Sequence, residues 1–233
     1  MKRAVPSLVT LSAVLCALLA VLWASWKPYW ACNAIIAASL LDMIDGRVAR
    51  MLDAQTEIGA QLDSLADVIA FGVAPALLVY FWAAPLYQVV PGIDVSVVVS
   101  FAFVGCAALR LARFNLDSDS SPKKHFEGIP TPVAALSVTT LVMAYHELEL
   151  ELLRHPALVL GMAGVAAVLM VAPIPFPSFK SFKRRWTAIL YFGSMLGGLT
   201  MLFLRLPGGA VLLALILFYI VRGLVLAAVG KTG

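Results

Sequence analysis

The stretch LDMIDGRVARMLDAQTEIGAQLDSLADVIAFGVAP, residues 41–75, sets Asp42, Asp45, Asp63 and Asp67 at the edges of runs apolar enough to lie in a bilayer. The rest of the chain sharpens that anomaly. Of its 233 residues 62% are hydrophobic and only 13% are charged, and its mean hydropathy is +0.95. A soluble domain averages roughly 25% charged residues, so the composition is that of an integral membrane protein.

Apolar runs near the roughly 20 residues a spanning helix needs fall at about 7–26, 29–46, 63–83, 95–113, 131–147, 156–175, 187–205 and 209–228. The expected fold is therefore an all-α polytopic bundle of about eight transmembrane helices, a single membrane domain over 1–233 with a catalytic motif region at 41–75. The first run follows Met-Lys-Arg as a signal peptide would. It is long for the apolar core of one, however, and WASWKPYW (23–30) is a poor cleavage site.

Basic residues in short loops favour the cytoplasmic side. With eight spans, Lys2, Arg3, Arg47, Arg50, Arg110, Arg113, Lys123, Lys124, Lys180, Lys183, Arg184, Arg185, Arg222 and Lys231 share one side, and only Lys27, Arg154 and Arg205 of the 17 basic residues fall on the other. Both termini and the aspartates are thus expected on the cytoplasmic face. The net charge of +4 is a topology signal, with no basic, aromatic-interleaved stretch to suggest nucleic acid, although the basic loops suit anionic membrane lipids. Cys16, Cys32 and Cys106 lie inside apolar runs without CxxC spacing and read as small buried residues.

Asp45 follows Asp42 by three positions and Asp67 follows Asp63 by four, so each pair shares one helical face. The pairs lie at adjacent ends of antiparallel spans, where all four carboxylates can converge. An Asp at the bilayer centre costs about 2.5–3.5 kcal/mol on insertion scales, and mutual repulsion adds to it. One or two divalent cations compensate best. Oxygen-only ligands with no His or Cys nearby favour Mg²⁺ or Mn²⁺ over Zn²⁺. Gly46, Ala49, Gly59 and Ala60 leave room for close approach, and Arg50 is a candidate bidentate phosphate clamp. Together these features suit a diphosphate substrate.

The order Asp42-x2-Asp45-Gly46-x2-Ala49-Arg50-x8-Gly59-x3-Asp63-x3-Asp67 resembles the signature of the CDP-alcohol phosphotransferase family. CAALRLARFN (106–115), FEGIPTPVAA (126–135) and PFPSFK (175–180) resemble its phosphatidylserine synthase branch, as does VPSLVTLSAVLCALLA (5–20), with Ser7 and Ser12 where asparagine and Ala17 where glycine is expected. The resemblance implies an intramembrane homodimer that transfers the phosphatidyl group of CDP-diacylglycerol to L-serine, yielding phosphatidylserine and CMP; a compact chain without organelle-targeting features suggests a prokaryotic plasma (inner) membrane. The resemblance makes Asp42, Asp45, Asp63 and Asp67 ligands of two divalent cations and Asp67 also the general base. Gly46, Arg50 and Thr56 would contact CDP-diacylglycerol, and Ala49 and Gly59 would be packing positions. Arg110 or Arg113 would meet the serine carboxylate or a lipid phosphate.

Other motifs read structurally. Pro130 and Pro132 mark a helix start, SFKSFKRR (178–185) is a basic loop, and HELELELLRH (146–155) is a solvated connection on the opposite face. His125, His146 and His155 share no helical face. Glycerol 3-phosphate or an inositol phosphate as acceptor would demand a denser basic cluster. An intramembrane prenyltransferase would place aspartate at position 49, where alanine stands, and a divalent-cation transporter would leave the Gly46, Ala49, Arg50 and Gly59 spacing unexplained.

Overall fold

The computed structural model describes residues 4–53, 56–83, 88–90, 93–118, 126–176 and 207–228. Seven of the eight expected runs are helical there, and the run at 187–205 lies outside the described residues. Helix α1 (Ala4–Trp23) is followed by α2 (Pro28–Met51) and by one long rod made of α3 (Glu57–Asp67), a π-helical turn (Val68–Val73) and α4 (Ala74–Ala83). Then come α5 (Val95–Ser118), α6 (Thr131–Leu148), the single turn α7 (Glu151–Arg154), α8 (Pro156–Val171) and α9 (Gly208–Ala228). Two antiparallel ladders of two or three residues per strand are the only β-structure among the described residues: β1 (Gln88–Val90) with β2 (Ile93–Asp94), and β3 (Phe126–Glu127) with β4 (Pro175–Phe176).

Among the described residues, four stretches are long and apolar enough to cross a membrane: Pro6–Trp23, Glu57–Ala83, Val95–Leu116 and Gly208–Ala228. Helix α8 is apolar but shorter, and α2 carries Asp42, Asp45, Arg47 and Arg50 near its end.

Side-chain size is sorted in a way that water would not dictate. On α1, Ala13, Ala17 and Ala20 are buried while Leu8, Leu11, Leu15, Leu18 and Leu22 face outward. The alanine stripe lets α1 lie close along α2, whose Ala31, Ile35 and Ala38 are buried. Lipid solvates leucine as well as the interior does, so close backbone approach, rather than burial of bulk, is what holds such helices together. Helix α6 is the most enclosed, with Ala134, Val138, Leu141, Val142, Met143 and Ala144 buried. Its buried hydroxyls do not go unpaired: Ser137, Thr139 and Thr140 donate to the carbonyls of Ala134, Ala135 and Leu136.

Two features set the frame of the site. The π-turn follows Asp67 directly, with the Ala74 N–H donating to the Ile69 carbonyl five residues back. Pro75 offers no N–H of its own, so the donor pattern of a regular α-helix is interrupted at this point. The segment before α6 is pinned to the end of α8 by Gly128 N–H to the Ile174 carbonyl (2.9 Å) and Ile129 N–H to the Leu169 carbonyl (3.0 Å). Gly128 has φ +77°, and a Cβ there would lie 2.5 Å from the Met170 carbonyl oxygen. Only glycine fits. Helix α6 starts at Thr131 behind Pro130, as expected of a proline-marked start.

Candidate active site

The helices differ from the expected spans where the acids lie. Residues 47–62, expected to link two spans, are largely helical: α2 runs on to Met51, and α3 begins at Glu57. Asp63 and Asp67 therefore sit in the second and third turns of α3, not at its start. The break between the helices is sharp. Asp53 adopts φ 50°, and Thr56 caps α3 by accepting the Gly59 N–H at 3.0 Å.

The fold gathers three of the four carboxylates tightly. Asp42, Asp63 and Asp67 each offer an oxygen within 4.8 Å of the others. Asp45 is held differently. It is buried, 4% exposed, and Thr10 of α1 donates its hydroxyl to Asp45 Oδ2 at 2.8 Å. It still lies near enough to act electrostatically on Asp42, Asp63 and Asp67. Thr10, which is also 3.1 Å from the Pro6 carbonyl, was not marked by the aspartate spacing, because its partner is 35 residues away.

A divalent ion fits this donor set. Hard cations such as Mg²⁺ take oxygen ligands at about 2.1 Å, which puts opposed ligand atoms at most about 4.2 Å apart. Carboxylates already within 4.8 Å need only small side-chain adjustments to close on such an ion. Like charges gathered this closely in a membrane bundle are stable when a cation neutralises them.

Around the acids, Gly46 has open space where a Cβ would be, with nothing within 4 Å. Arg50 is exposed at the end of α2. Thr56 spends its hydroxyl oxygen on the α3 cap, a structural task its position in the motif did not reveal. Next to Asp63, Ser64 pairs with Asn115 of α5, whose amide donates to Ser64 Oγ at 3.0 Å.

Arg110 and Arg113, treated alike in the sequence, part company. Arg110 Nη1 donates to the fully buried Thr131 Oγ1 at 3.0 Å, and its guanidinium interacts electrostatically with Asp67 and Tyr219. Its Nε is buried without a partner among the described residues. Arg113 instead donates to the Val171 carbonyl at 3.3 Å, where a cation suits a helix C-terminus. Thus Arg110 lies within electrostatic reach of Asp67 and Arg113 ties α5 to α8. Lys123, Lys124 and the basic run 178–185 lie outside the described residues, as does His125. His146 and His155 are at the other end of the bundle, on α6 and beside α7.

Comparison with known proteins bears on the same residues. The profile of the CDP-alcohol phosphatidyltransferase family matches residues 3–178. The chain is 37% identical over 227 residues to a Helicobacter pylori CDP-diacylglycerol–serine O-phosphatidyltransferase, covering 95% of this chain and 91% of that one. It is 33% identical over 177 residues to the Bacillus subtilis protein of that name (76% and 91%), and 38% identical over 165 residues to the Saccharomyces cerevisiae one (66% and 50%). A motif of carboxylates converging from two helices, with a match across three quarters of the chain and near full-length bacterial relatives, has one conclusion: this protein belongs to the CDP-alcohol phosphatidyltransferase family.

Proposed function

We propose that this chain is a phosphatidylserine synthase, transferring the phosphatidyl group of CDP-diacylglycerol to L-serine. The observation that carries this reading is the convergence of Asp42, Asp63 and Asp67 beside Arg110, joined by the names of its bacterial and yeast relatives.

In the reaction the serine hydroxyl oxygen forms a bond to the phosphorus that carries diacylglycerol, and the bond from that phosphorus to the CMP oxygen breaks. Asp67 takes the hydroxyl proton as attack proceeds. Asp42, Asp45, Asp63 and Asp67 would hold two divalent cations, Mg²⁺ or Mn²⁺, whose contribution when bound is to neutralise charge on the diphosphate and the departing CMP. Gly46 leaves the backbone open to the nucleotide, Arg50 clamps a phosphate, and Thr56 shapes this wall through its cap. Arg110, anchored by Thr131, meets the serine carboxylate. Arg113 serves the scaffold in this reading.

The charge asymmetry of the loops supports a topology with the aspartates and both termini on the cytoplasmic side of a prokaryotic inner membrane. One domain of about eight spans, working as a homodimer, completes the reading.

The test is CMP release from CDP-diacylglycerol by the purified protein with serine, glycerol 3-phosphate, inositol or inositol phosphate supplied separately. Serine alone should support turnover, chelation should abolish it, and Mn²⁺ or Mg²⁺ should restore it. Release with another acceptor in place of serine would overturn the serine assignment while leaving the family chemistry intact. Metal flux without CMP release would point instead to transport.

A further inference from the structure

At the end of the bundle away from the aspartates, an open cavity of about 750 Å³ is walled by Trp82, Tyr145, His146, Glu151, Arg154 and His155, among others. Small-molecule sites commonly measure about 300–1,000 Å³, and no part of the reaction above uses this one. Its depth follows from helix length. Pro28 precedes Asp42 on α2, and Trp82 follows Asp67 on the long rod, by 14 or 15 residues, or roughly 21 Å at about 1.5 Å per residue. That separation is about two thirds of the hydrocarbon thickness of about 30 Å, so the cavity lies toward the opposite interface. Trp23, Trp26, Tyr29 and Trp30 collect at this same end, with Trp26 and Trp30 exposed. Such a concentration of Trp and Tyr marks headgroup depth.

The walls have a distinctive chemistry. Trp82, Tyr145 and His146 meet edge to face, with ring centroids 5.2–5.5 Å apart. Glu151 and Arg154 sit three apart on α7, yet neither makes an ion pair or side-chain hydrogen bond with another described residue. One cavity thus presents an anion and a cation with no partner among the described residues, beside two imidazoles and aromatic rings. A purely anionic ligand would leave Glu151 repelling it, and a purely cationic one would leave Arg154 doing the same.

We propose that this cavity binds a zwitterionic aminophosphate headgroup. The phosphate lies against Arg154 with His146 and His155, and the ammonium lies against Glu151 and the rings of Trp82 and Tyr145. A phospholipid in the outer leaflet or a soluble phosphoamine could present that chemistry, and the two are separable by experiment.

The full chain is purified in micelles doped with equal phosphatidylethanolamine and phosphatidylglycerol, and retained lipid is counted by native mass spectrometry. The wild type should retain the amine lipid over the glycerol lipid by about tenfold, the equivalent of one well-made charged contact. Glu151→Gln should erase that preference, and Arg154→Gln should lower retention of both. Equal retention by the wild type, or an unchanged preference in both variants, would overturn the proposal. Should a variant fail to fold, the wild type decides alone, by its thermal unfolding in glycerophosphoethanolamine, inorganic phosphate or ethanolamine. A rise with glycerophosphoethanolamine only supports the proposal with a soluble source sufficient. Lipid preference without that rise assigns the site to the intact lipid. Equal rises with phosphate alone, or neither rise nor lipid preference, would overturn it.

Discussion

The two ends of the bundle handle charge in opposite ways. At one, Asp42, Asp45, Asp63 and Asp67 are crowded together, steadied by neutral groups such as Thr10, with Arg110 within electrostatic reach of Asp67. At the other, Glu151 and Arg154 stand on the same short turn, apart from each other, among aromatic rings. Like charges gathered at a membrane depth are costly and call for a bound counter-charge. Opposite charges left unpaired in a wet cavity cost little. The first arrangement is maintained against repulsion and so reports chemistry; the second reports at most recognition.

Mutation can break that contrast. Asp67→Asn should lower CMP release by about 10³-fold or more, since general-base catalysis and metal ligation are both lost; residual turnover within tenfold would end the case for Asp67 as base. Arg110→Gln should cost about 10–100-fold in kcat/KM for serine, the range of a hydrogen bond to a charged group, whereas Arg113→Gln should stay within about threefold. Equal losses would show that the divergence of the two arginines has no bearing on the acceptor. Thr10→Val removes the hydroxyl that orients Asp45 and should weaken Mn²⁺ activation by about tenfold or more, with most of the turnover recovered at saturating metal; failure to recover would place Thr10 in the chemistry itself. Smallest of all, Glu151→Gln and Arg154→Gln should leave CMP release within about twofold, because sites this far apart act independently. A large loss would couple the two ends.

Much of this was legible in the sequence, and the reasons for the rest are physical. Apolar runs located seven helices because a bilayer demands length and hydropathy together. The aspartate spacing pointed to Asp42, Asp45, Asp63 and Asp67 because helical periodicity brings residues three and four apart onto one face, and it could not show that Asp45 is the one held aside by Thr10. What escaped were contacts set by packing between distant segments: Thr10 on Asp45, Thr131 beneath Arg110, Asn115 on Ser64. Arg110 and Arg113 could not be told apart, since their difference depends on which neighbour each side chain meets. The extent of α3 was underread because Glu57, Gln61 and other polar residues of its first turns look like loop.

The π-turn after Asp67 has one last implication. A wider turn absorbs about one more residue than an α-helix over the same length, and each helical residue advances the direction of projection by about 100°. The turn thus works as a phase shifter between the half of the rod that carries Asp63 and Asp67 and the half that carries Trp82. If 68–73 wound as a regular α-helix with every residue kept, one half would have to swing by about 100° relative to the other. Either the carboxylates would turn away from Asp42 or the outer half would lose its seat against α5. The timing of the two ends, in the sense of their relative rotation, is therefore set by one irregular turn.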